Sequence, residues 1–302
     1  MVSGVPFTRC GYHDDWAHRY DSPLPQKDVP MPMCTLGDIQ VYYEIAGAGP
    51  PLLLIHGLGS STRDWEFQVP AFAPAFQVIA ADLRGHGRSS KPRGRYRIPQ
   101  LADDMAALLR ALGAAPAHVI GLSLGGMVAL ELALRCPDLV RSLAFINSGP
   151  EAPAQTLRER LGLVGVYLRR VATVRLRGMR VLGEALARDL LPEPGQAALR
   201  RTFVERWAAN DPRAYLAALG AIGGWSVRQR LPALRCPTLV ISADMDYTPV
   251  DYKAAYCEAI PQGELAVIAG SRHLTPIDRP DDLNVCILRF LNKHGGVSTI
   301  AA

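Results

Sequence analysis

Short, unbroken apolar runs recur along the chain, and each leads into a loop that contains glycine. Four such runs are PLLLIHG, FQVIAADLRG, AHVIGL and VRSLAFINSGP. Strands that read as continuous apolar runs are buried on both faces, as in a parallel sheet covered by helices. Between the second and third runs, apolar residues recur at helical spacing at Leu101, Met105, Leu108 and Leu112. This alternation predicts an α/β fold with a mostly parallel, doubly wound sheet.

The strand pattern stops near residue 150 and returns near residue 231. The segment between is rich in Leu, Ala, Val and Arg, with helix breakers near LPEPG and NDP, and predicts an inserted helical cap. Two more strands, CPTLVISAD and GELAVIAG, and a last helix follow it. We therefore divide the chain into an irregular N-terminal extension packed on the surface, a first core part, a cap and a second core part, which are residues 1–33, 34–150, 151–230 and 231–302.

Composition fits a globular protein of this kind. The chain has 302 residues, of which 49% are hydrophobic and 20% charged, and a net charge of +5. No apolar run approaches the ~20 residues that span a bilayer, and the first residues lack the pattern of a secretory signal. The six scattered cysteines form no metal-binding spacing. We expect reduced thiols in a cytoplasmic protein, without metal or cofactor, and an oligomeric state that the sequence leaves open.

A lone serine stands between glycines where the third strand should become a helix. Residues 121–125, GLSLG, match G-x-S-x-G, the pattern of a serine exposed on a sharp strand-to-helix turn. Glycines nearby relieve the crowding of such a turn, and the helix N-terminus favours developing negative charge. The alternative is that the small residues only let a helix lie close to the sheet. Because the motif sits between a strand and a helix, we predict that Ser123 is a nucleophile.

A serine nucleophile needs a base, and the base needs a carboxylate that orients it. Of seven histidines, His273 lies just past the last predicted strand, at the strand end where open α/β sheets place their sites. Asp246 follows the preceding strand in a loop that should reach His273. Asp244 is the alternative acid, but it lies closer to the strand and should bind loop backbone. Asn147, after another strand, cannot supply a carboxylate.

The negative oxygen that forms during acyl transfer needs backbone N–H donors. The residue after the nucleophile, Leu124, supplies one, and the loop HGLGSS supplies the other, with Leu58 as first choice and Gly59 as second. We expect the substrate pocket to be lined by His56, Gly57, Met127, Leu161 and Val164, although loop architecture is the other role for His56.

Five segments carry a resemblance: HGLG (56–59), DLRGHGRS (82–89), GLSLGG (121–126), ISADMDYTP (241–249) and GSRH (270–273). Their order resembles that of the α/β-hydrolase fold family, in particular small serine esterases and enol-lactonase-like hydrolases with a helical cap. The resemblance covers roughly residues 36–150 and 231–292. It implies a triad of Ser123, Asp246 and His273, and oxyanion donors at Leu58 and Leu124. The N-terminal extension and the Arg-rich cap depart from the family.

The sequence predicts a cofactor-independent serine hydrolase that cleaves small-molecule carboxylic esters with an apolar acyl or alcohol group. Dehalogenases and epoxide hydrolases of this fold resemble it but use Asp where this chain has Ser123. In GHGRSS, Ser90 replaces the third glycine of a dinucleotide fingerprint. A lactonase, thioesterase, C–C hydrolase or acyltransferase would use the same triad, and a ligand-binding receptor could share the scaffold.

Net positive charge is concentrated in and next to the predicted cap. Residues 151–235 hold 15 Arg and 7 acidic residues, a local charge of +8. These arginines fit a solvated helix face, attraction to an anionic substrate or lipid surface, or, without a base-reading motif, nucleic acid. We expect no nucleic-acid partner. Apolar residues between the arginines predict an amphipathic helix whose apolar side lies over the pocket: Leu157, Leu161, Val164, Leu168, Val171 and Val174.

Overall fold

An eight-stranded sheet organises the chain, as the alternating pattern predicts. The computed structural model describes residues 32–152, 154 and 156–295. The strands are β1 (Met33–Leu36), β2 (Ile39–Ala46), β3 (Pro51–Ile55), β4 (Gln77–Ala81), β5 (Ala117–Leu122), β6 (Val140–Ile146), β7 (Thr238–Ala243) and β8 (Gly263–Ile268). They lie in the order β1-β2-β4-β3-β5-β6-β7-β8. The first two strands pair antiparallel, and β2 is antiparallel to β4. From β4 to β8 every neighbouring pair is parallel.

Helices connect these strands and cover both faces of the sheet. They are α1 (Gln68–Phe72), α2 (Ile98–Ala111), α3 (Leu124–Arg135), α4 (Leu157–Leu190), α5 (Ala197–Ala208), α6 (Pro212–Ile222), α7 (Val250–Cys257), α8 (Thr275–Asp278) and α9 (Pro280–Gly295). No helix in the described part of the chain is long and apolar enough to cross a membrane.

Alternate residues of β3 show how the sheet is buried. Leu53 and Ile55 point into a cluster that contains residues of α2, α3 and α7. Leu52 and Leu54 point to the opposite face, into a cluster with residues of α1 and α9. All four leucine and isoleucine side chains are fully buried. Burial on both faces explains why this strand reads as an unbroken apolar run.

Three helices, α4, α5 and α6, lie between β6 and β7, and we call residues 157–222 the helical insertion. They share an apolar cluster that includes Val174 of α4, Trp207 of α5 and Tyr215 of α6. Leu274 of the sheet domain belongs to the same cluster, and Leu58 packs against it. The side chain of Arg206 also pairs with Glu66 at 2.8 Å. The insertion is therefore attached to the loops at the carboxyl end of the sheet.

The sequence predicts that an apolar side of α4 lies over the pocket, and this prediction is wrong for the first half of the helix. Leu157, Leu161, Val164 and Leu168 are 74%, 63%, 51% and 57% exposed, and burial on this helix is deep only from Val174 onward. The reason is that the shared apolar cluster engages α4 only from its middle to its C-terminal end. The helix is also interrupted at Gly178, whose φ of 84° is not helical. Residues 157–182 are thus not one continuous apolar roof.

The prediction for the N-terminal extension lies outside the described residues, apart from its last two positions. Of these, Met33 already belongs to β1, so the sheet begins within the segment assigned to the extension. Cys34, Cys136, Cys236 and Cys257 are free thiols. Among the described residues, no group of three His, Cys, Asp or Glu side chains is arranged to hold a metal ion.

Candidate active site

Ser123 occupies a strained turn between β5 and α3. Its φ of 52° and ψ of −115° are outside the regions that a residue with a side chain normally adopts. Such a conformation costs on the order of 1–3 kcal/mol and persists only where surrounding contacts enforce it. The Ser123 amide donates to the carbonyl of Ile146 at 2.9 Å, which holds the turn against β6. Unlike its neighbours Leu122 and Leu124, Ser123 is partly exposed.

The glycines around Ser123 are required by close backbone approach. A Cβ on Gly121 would collide with the backbone of Gly125, and a Cβ on Gly125 would collide with the carbonyl of Ile55. A Cβ on Gly126 would lie 2.5 Å from the Cβ of Ser148. The start of α3 therefore lies against the ends of β3, β5 and β6. Tight packing and exposure of the serine are two results of one turn.

His273 and Asp246 meet at the same edge of the sheet. Asp246 follows β7 and His273 follows β8, and these parallel neighbours bring their loops together. The Nδ1 atom of His273 lies 2.8 Å from Oδ1 of Asp246. Since a carboxylate only accepts hydrogen bonds, this contact puts the proton on Nδ1 and leaves Nε2 free to accept one. The imidazole is thus held in the tautomer that a general base requires.

Asp244 has a different task. Its carboxylate accepts hydrogen bonds from the amides of Gly270 and Ser271, at 3.0 and 3.2 Å. The amide of Met245 in turn donates to the carbonyl of Ser271 at 3.0 Å. Asp244 therefore ties the loop after β7 to the loop that carries His273, the backbone role expected of it from the sequence.

Asn147 positions the histidine loop from a third strand end. Its side-chain amide donates to the carbonyl of His273 at 3.0 Å and to the hydroxyl of Thr275 at 2.8 Å. Its oxygen accepts from the amide of Ala243 at 2.8 Å. Asn147 also has a positive φ of 47°, a conformation that asparagine tolerates better than most residues. It is thus a loop anchor rather than an acid.

Lys253 of α7 contacts the second oxygen of Asp246. Its Nζ lies 2.6 Å from Oδ2, and both side chains are fully buried. The hydroxyl of Thr248 donates to the same oxygen at 2.5 Å. Burial alone would raise the pKa of Asp246, but the hydrogen bond and charge of His273, together with Lys253, lower it to about 2. The carboxylate is therefore ionised throughout the neutral pH range.

Tyr247 lies on the other nitrogen of His273. Its hydroxyl is 2.5 Å from Nε2, and the two rings stack with centroids 4.1 Å apart. The residue is 63% exposed, although its hydroxyl points inward. Burial of that hydroxyl and the charge of Asp246 raise the pKa of Tyr247, whereas Arg170 and a hydrogen bond with Ser123 act in the opposite direction. Tyr247 therefore stands between the serine and the imidazole.

The loop after β3 faces the serine turn. A Cβ on Gly57 would lie 3.7 Å from the Cβ of Ser123, so this backbone is adjacent to Ser123. The amide of Gly57 itself donates to Asp64 at 3.2 Å and is thereby engaged. Leu58 follows it in the loop, and Leu124 is the first residue of α3, where helical N–H groups lack intrahelical partners. These two amides remain the predicted oxyanion donors.

His56 is a loop anchor and does not line a pocket, which corrects that part of the prediction. The residue is fully buried. Its Nε2 accepts from the amide of Leu83 at 2.9 Å, and its Nδ1 lies 2.7 Å from the carbonyl of Gly57. Burial lowers the pKa of His56 to about 4, so the ring is neutral. Of the other predicted pocket residues, Met127 is half-buried against the main core, whereas Leu161 and Val164 are exposed.

Sequence reasoning missed Lys253, Tyr247 and the positioning role of Asn147. A lysine seven residues after the acid gives no signal in one sequence, because helical lysines are usually exposed. Tyr247 immediately follows Asp246, so its proximity could have been noted. Its contact with Nε2 depends on the loop conformation. Asn147 occupies a strand end beside the site, and that position could have suggested a role.

Known proteins resemble this chain over most of its length. Residues 50–280 match the model of the alpha/beta hydrolase fold. A protein named carbamate hydrolase RutD, from Azorhizobium caulinodans, is 34% identical over 87% of this chain and 99% of its own length. The structure of an enol-lactonase from Burkholderia xenovorans superposes with a TM-score of 0.78, at 26% identity over 86% of this chain and 100% of that one.

A thermophilic esterase from Thermogutta terrifontis, solved with malate bound, superposes with a TM-score of 0.76. It is 27% identical and covers 88% of this chain and 100% of its own. The family match extends over far more than half of the chain, and it includes the strand ends that carry Ser123, Asp246 and His273. With this sheet order and this match, the chain belongs to the α/β-hydrolase fold family and is a hydrolase.

Proposed function

We propose that the chain is a serine hydrolase that cleaves carboxylic esters through an acyl-enzyme. The observation that carries the proposal is the 2.8 Å contact between His273 Nδ1 and Asp246 Oδ1 at the sheet edge that also presents Ser123. This arrangement supplies a nucleophile on a strained turn, a base with Nε2 directed away from its carboxylate, and a buried anion that stabilises the imidazolium.

The steps follow from these positions. Nε2 of His273 takes the proton of the Ser123 hydroxyl as Oγ attacks the ester carbonyl, and the oxyanion accepts from the amides of Leu58 and Leu124. The imidazolium then donates its proton to the departing alkoxide, which leaves the acyl group on Ser123. Water deprotonated by the same nitrogen attacks that acyl group and releases the acid.

Tyr247 has to give up its contact before the first step. Its hydroxyl occupies Nε2 at 2.5 Å, the atom to which Ser123 must pass its proton. Because 63% of the residue is exposed, the ring has room to turn away when a substrate enters. The resting contact holds the imidazole in place, and substrate binding exchanges the tyrosine hydroxyl for the serine hydroxyl.

Carbamate and lactone hydrolysis are the second candidates, favoured by the names of the relatives. The RutD protein at 34% identity is named for carbamates, and a structure at 26% identity is named an enol-lactonase. Both bonds are attacked at a carbonyl, so the same three side chains serve. Only the leaving group differs: it is an amine or alcohol for a carbamate, and it stays tethered for a lactone.

We place the non-reacting part of the substrate beneath the insertion, next to Arg170. Arg169, Arg175 and Arg177 are exposed, whereas Arg170 is partly buried on the α4 face that also carries the buried Val174. The side chain of Tyr215, on α6, is buried next to Arg170. Burial raises the pKa of Tyr215, and the charge of Arg170 and its hydrogen bond with Tyr215 oppose that effect. An anionic group on the substrate would engage both.

The test is a substrate panel with a matched variant. We expect the parent to hydrolyse 4-nitrophenyl esters of graded acyl length, a simple lactone and a 4-nitrophenyl carbamate at different rates, the esters fastest. Ser123→Ala should remain folded and lose roughly 10³-fold or more of kcat on every substrate cleaved. Faster turnover of the carbamate or the lactone would reassign the bond. Near-normal turnover by the folded variant would reject the mechanism.

A further inference from the structure

Lys253 pairs with Asp246 where the reaction itself requires no cation. Its Nζ donates to Asp246 Oδ2 at 2.6 Å, to Ser242 Oγ at 3.1 Å and to the Thr248 carbonyl at 3.1 Å. All three hydrogen-bond positions of an ammonium group are thereby used. The side chain is fully buried. A lysine with this much burial and this many partners is held in one place, on the far side of the carboxylate from His273.

The two oxygens of Asp246 are divided between two cations of different kinds. Oδ1 faces His273 at 2.8 Å, and that imidazole is charged only after it takes a proton. Oδ2 faces Lys253, whose charge is present before and after that step. The carboxylate therefore does not attract the imidazolium with its whole charge, because the lysine offsets part of it. This division reduces the attraction between Asp246 and a protonated His273.

We infer that Lys253 is a positioning residue that weakens the hold of Asp246 on the imidazolium and so keeps His273 available as a base at lower pH. The inference rests on the proposed function. Without its lysine, ionised Asp246 would attract the protonated ring more strongly, and kcat/KM should then begin to fall at a higher pH. With Lys253 in place, the enzyme keeps its activity further into the acidic range.

Tyr247, Tyr256 and Asp278 are further titratable groups that face the pair or His273. Tyr247, from the same loop as Asp246, stacks on His273, and burial followed by the charge of Asp246 raises its pKa. Tyr256, on α7, donates to the carbonyl of Ser148 at 2.6 Å, and burial raises its pKa well above the usual value. Burial lowers the pKa of Lys253, and Asp246 opposes that change. Asp278, at the end of α8, accepts from the amide of Arg272 at 2.8 Å, and burial raises the pKa of its carboxyl.

The experiment compares the pH dependence of kcat/KM in the parent with that of Lys253→Met, Lys253→Gln and Lys253→Arg. Lys253→Met removes the charge, Lys253→Gln removes it but keeps a donor for Ser242 and Thr248, and Lys253→Arg keeps the charge. The low-pH side of the plot of kcat/KM against pH is called the acid limb. We expect the acid limb of both neutral variants to move to higher pH, by on the order of one pH unit. Lys253→Arg should retain the limb of the parent.

The control is Lys293→Met. Lys293 pairs with Glu264 at 2.7 Å, but it is largely exposed and its partner lies at the beginning of β8, at the opposite edge of the sheet. This variant should leave the acid limb unchanged. The variants should be shown to be folded by circular dichroism across the pH range used.

Two results would overturn the inference. One is a folded neutral variant whose acid limb coincides with that of the parent. The other is that neither neutral variant folds at any pH tested, which would assign Lys253 to the fold alone. If the parent cleaves no ester, the proposed function fails separately. The rate of covalent labelling by a fluorophosphonate as a function of pH then still measures the acid limb in the parent and in all four variants.

Discussion

The serine turn and the first half of α4 differ in how closely the residue types match their structural surroundings. At the turn, Ser123 has a φ of 52°, and each neighbouring glycine meets backbone or a side chain where its Cβ would be. On α4, Leu157 and Leu161 are apolar but 74% and 63% exposed. At the turn, the residue types are dictated by contacts. On α4, the periodicity indicates a helix but does not determine which surface covers it.

The largest expected effect concerns the two aspartates beside His273. Asp246→Asn keeps the shape but cannot hold the required tautomer, so kcat should fall by about 10³- to 10⁴-fold. Asp244→Asn should act mainly through stability, since its carboxylate contacts the amides of Gly270 and Ser271. Steady-state kinetics and urea unfolding of both variants make the comparison. A larger loss of turnover in folded Asp244→Asn would reverse the assignment.

A second test compares burial in the two regions. Leu130, on α3, is fully buried, so Leu130→Ala should lower the free energy of unfolding by about 2–5 kcal/mol. Leu161→Ala, on exposed α4, should change it by less than ~0.5 kcal/mol. Urea denaturation followed by circular dichroism measures both. If Leu161→Ala were as costly as Leu130→Ala, another surface would cover the first half of α4 in solution.

A third test asks whether one arginine of the insertion differs from its neighbour. Arg170→Gln should lower kcat/KM about 10-fold for 4-nitrophenyl hydrogen glutarate, because a charge-assisted hydrogen bond is lost. The methyl ester of the same substrate is neutral and should be almost unaffected. Arg169→Gln, on the exposed side, is the matched control and should change neither rate. Equal effects of the two variants would mean that the charge of the helix acts only as a diffuse field.

The smallest expected effect belongs to Tyr247. Tyr247→Phe removes the hydroxyl that lies 2.5 Å from His273 Nε2 but keeps the stacked ring. Since that hydroxyl competes with Ser123 for the imidazole, kcat/KM should rise or stay within a few-fold of the parent value. A loss of more than 100-fold on every ester would instead make the hydroxyl part of the reaction.

The sheet was predictable because burial on both faces leaves a direct trace in the sequence. β3, β5 and β7 read as unbroken apolar runs, and the motif at 121–125 falls at the end of one of them. The pairing of Asp246 with His273 also follows from parallel neighbours, whose carboxyl ends share an edge. The strands and the motif follow from the local apolar pattern, and the contact between the two loops follows from the parallel order of β7 and β8.

What could not be predicted depends on tertiary contacts between distant elements. Nothing near Lys253 in the chain shows that α7 turns its lysine inward to Asp246. The exposure of Leu161 depends on where α5 and α6 lie on α4, and the break at Gly178 separates two parts of what reads as one helix. His56 was ambiguous, since a buried anchor and a pocket residue have the same local sequence.

The most direct test of the account is the site of covalent labelling by a fluorophosphonate. Peptide mass spectrometry should locate one equivalent of the label on Ser123. Ser123→Ala should take up no label under the same conditions, and Asp246→Asn should be labelled far more slowly than the parent. Stoichiometric label on another residue of the parent, or equal labelling of Ser123→Ala, would contradict the assignment of Ser123 as the nucleophile.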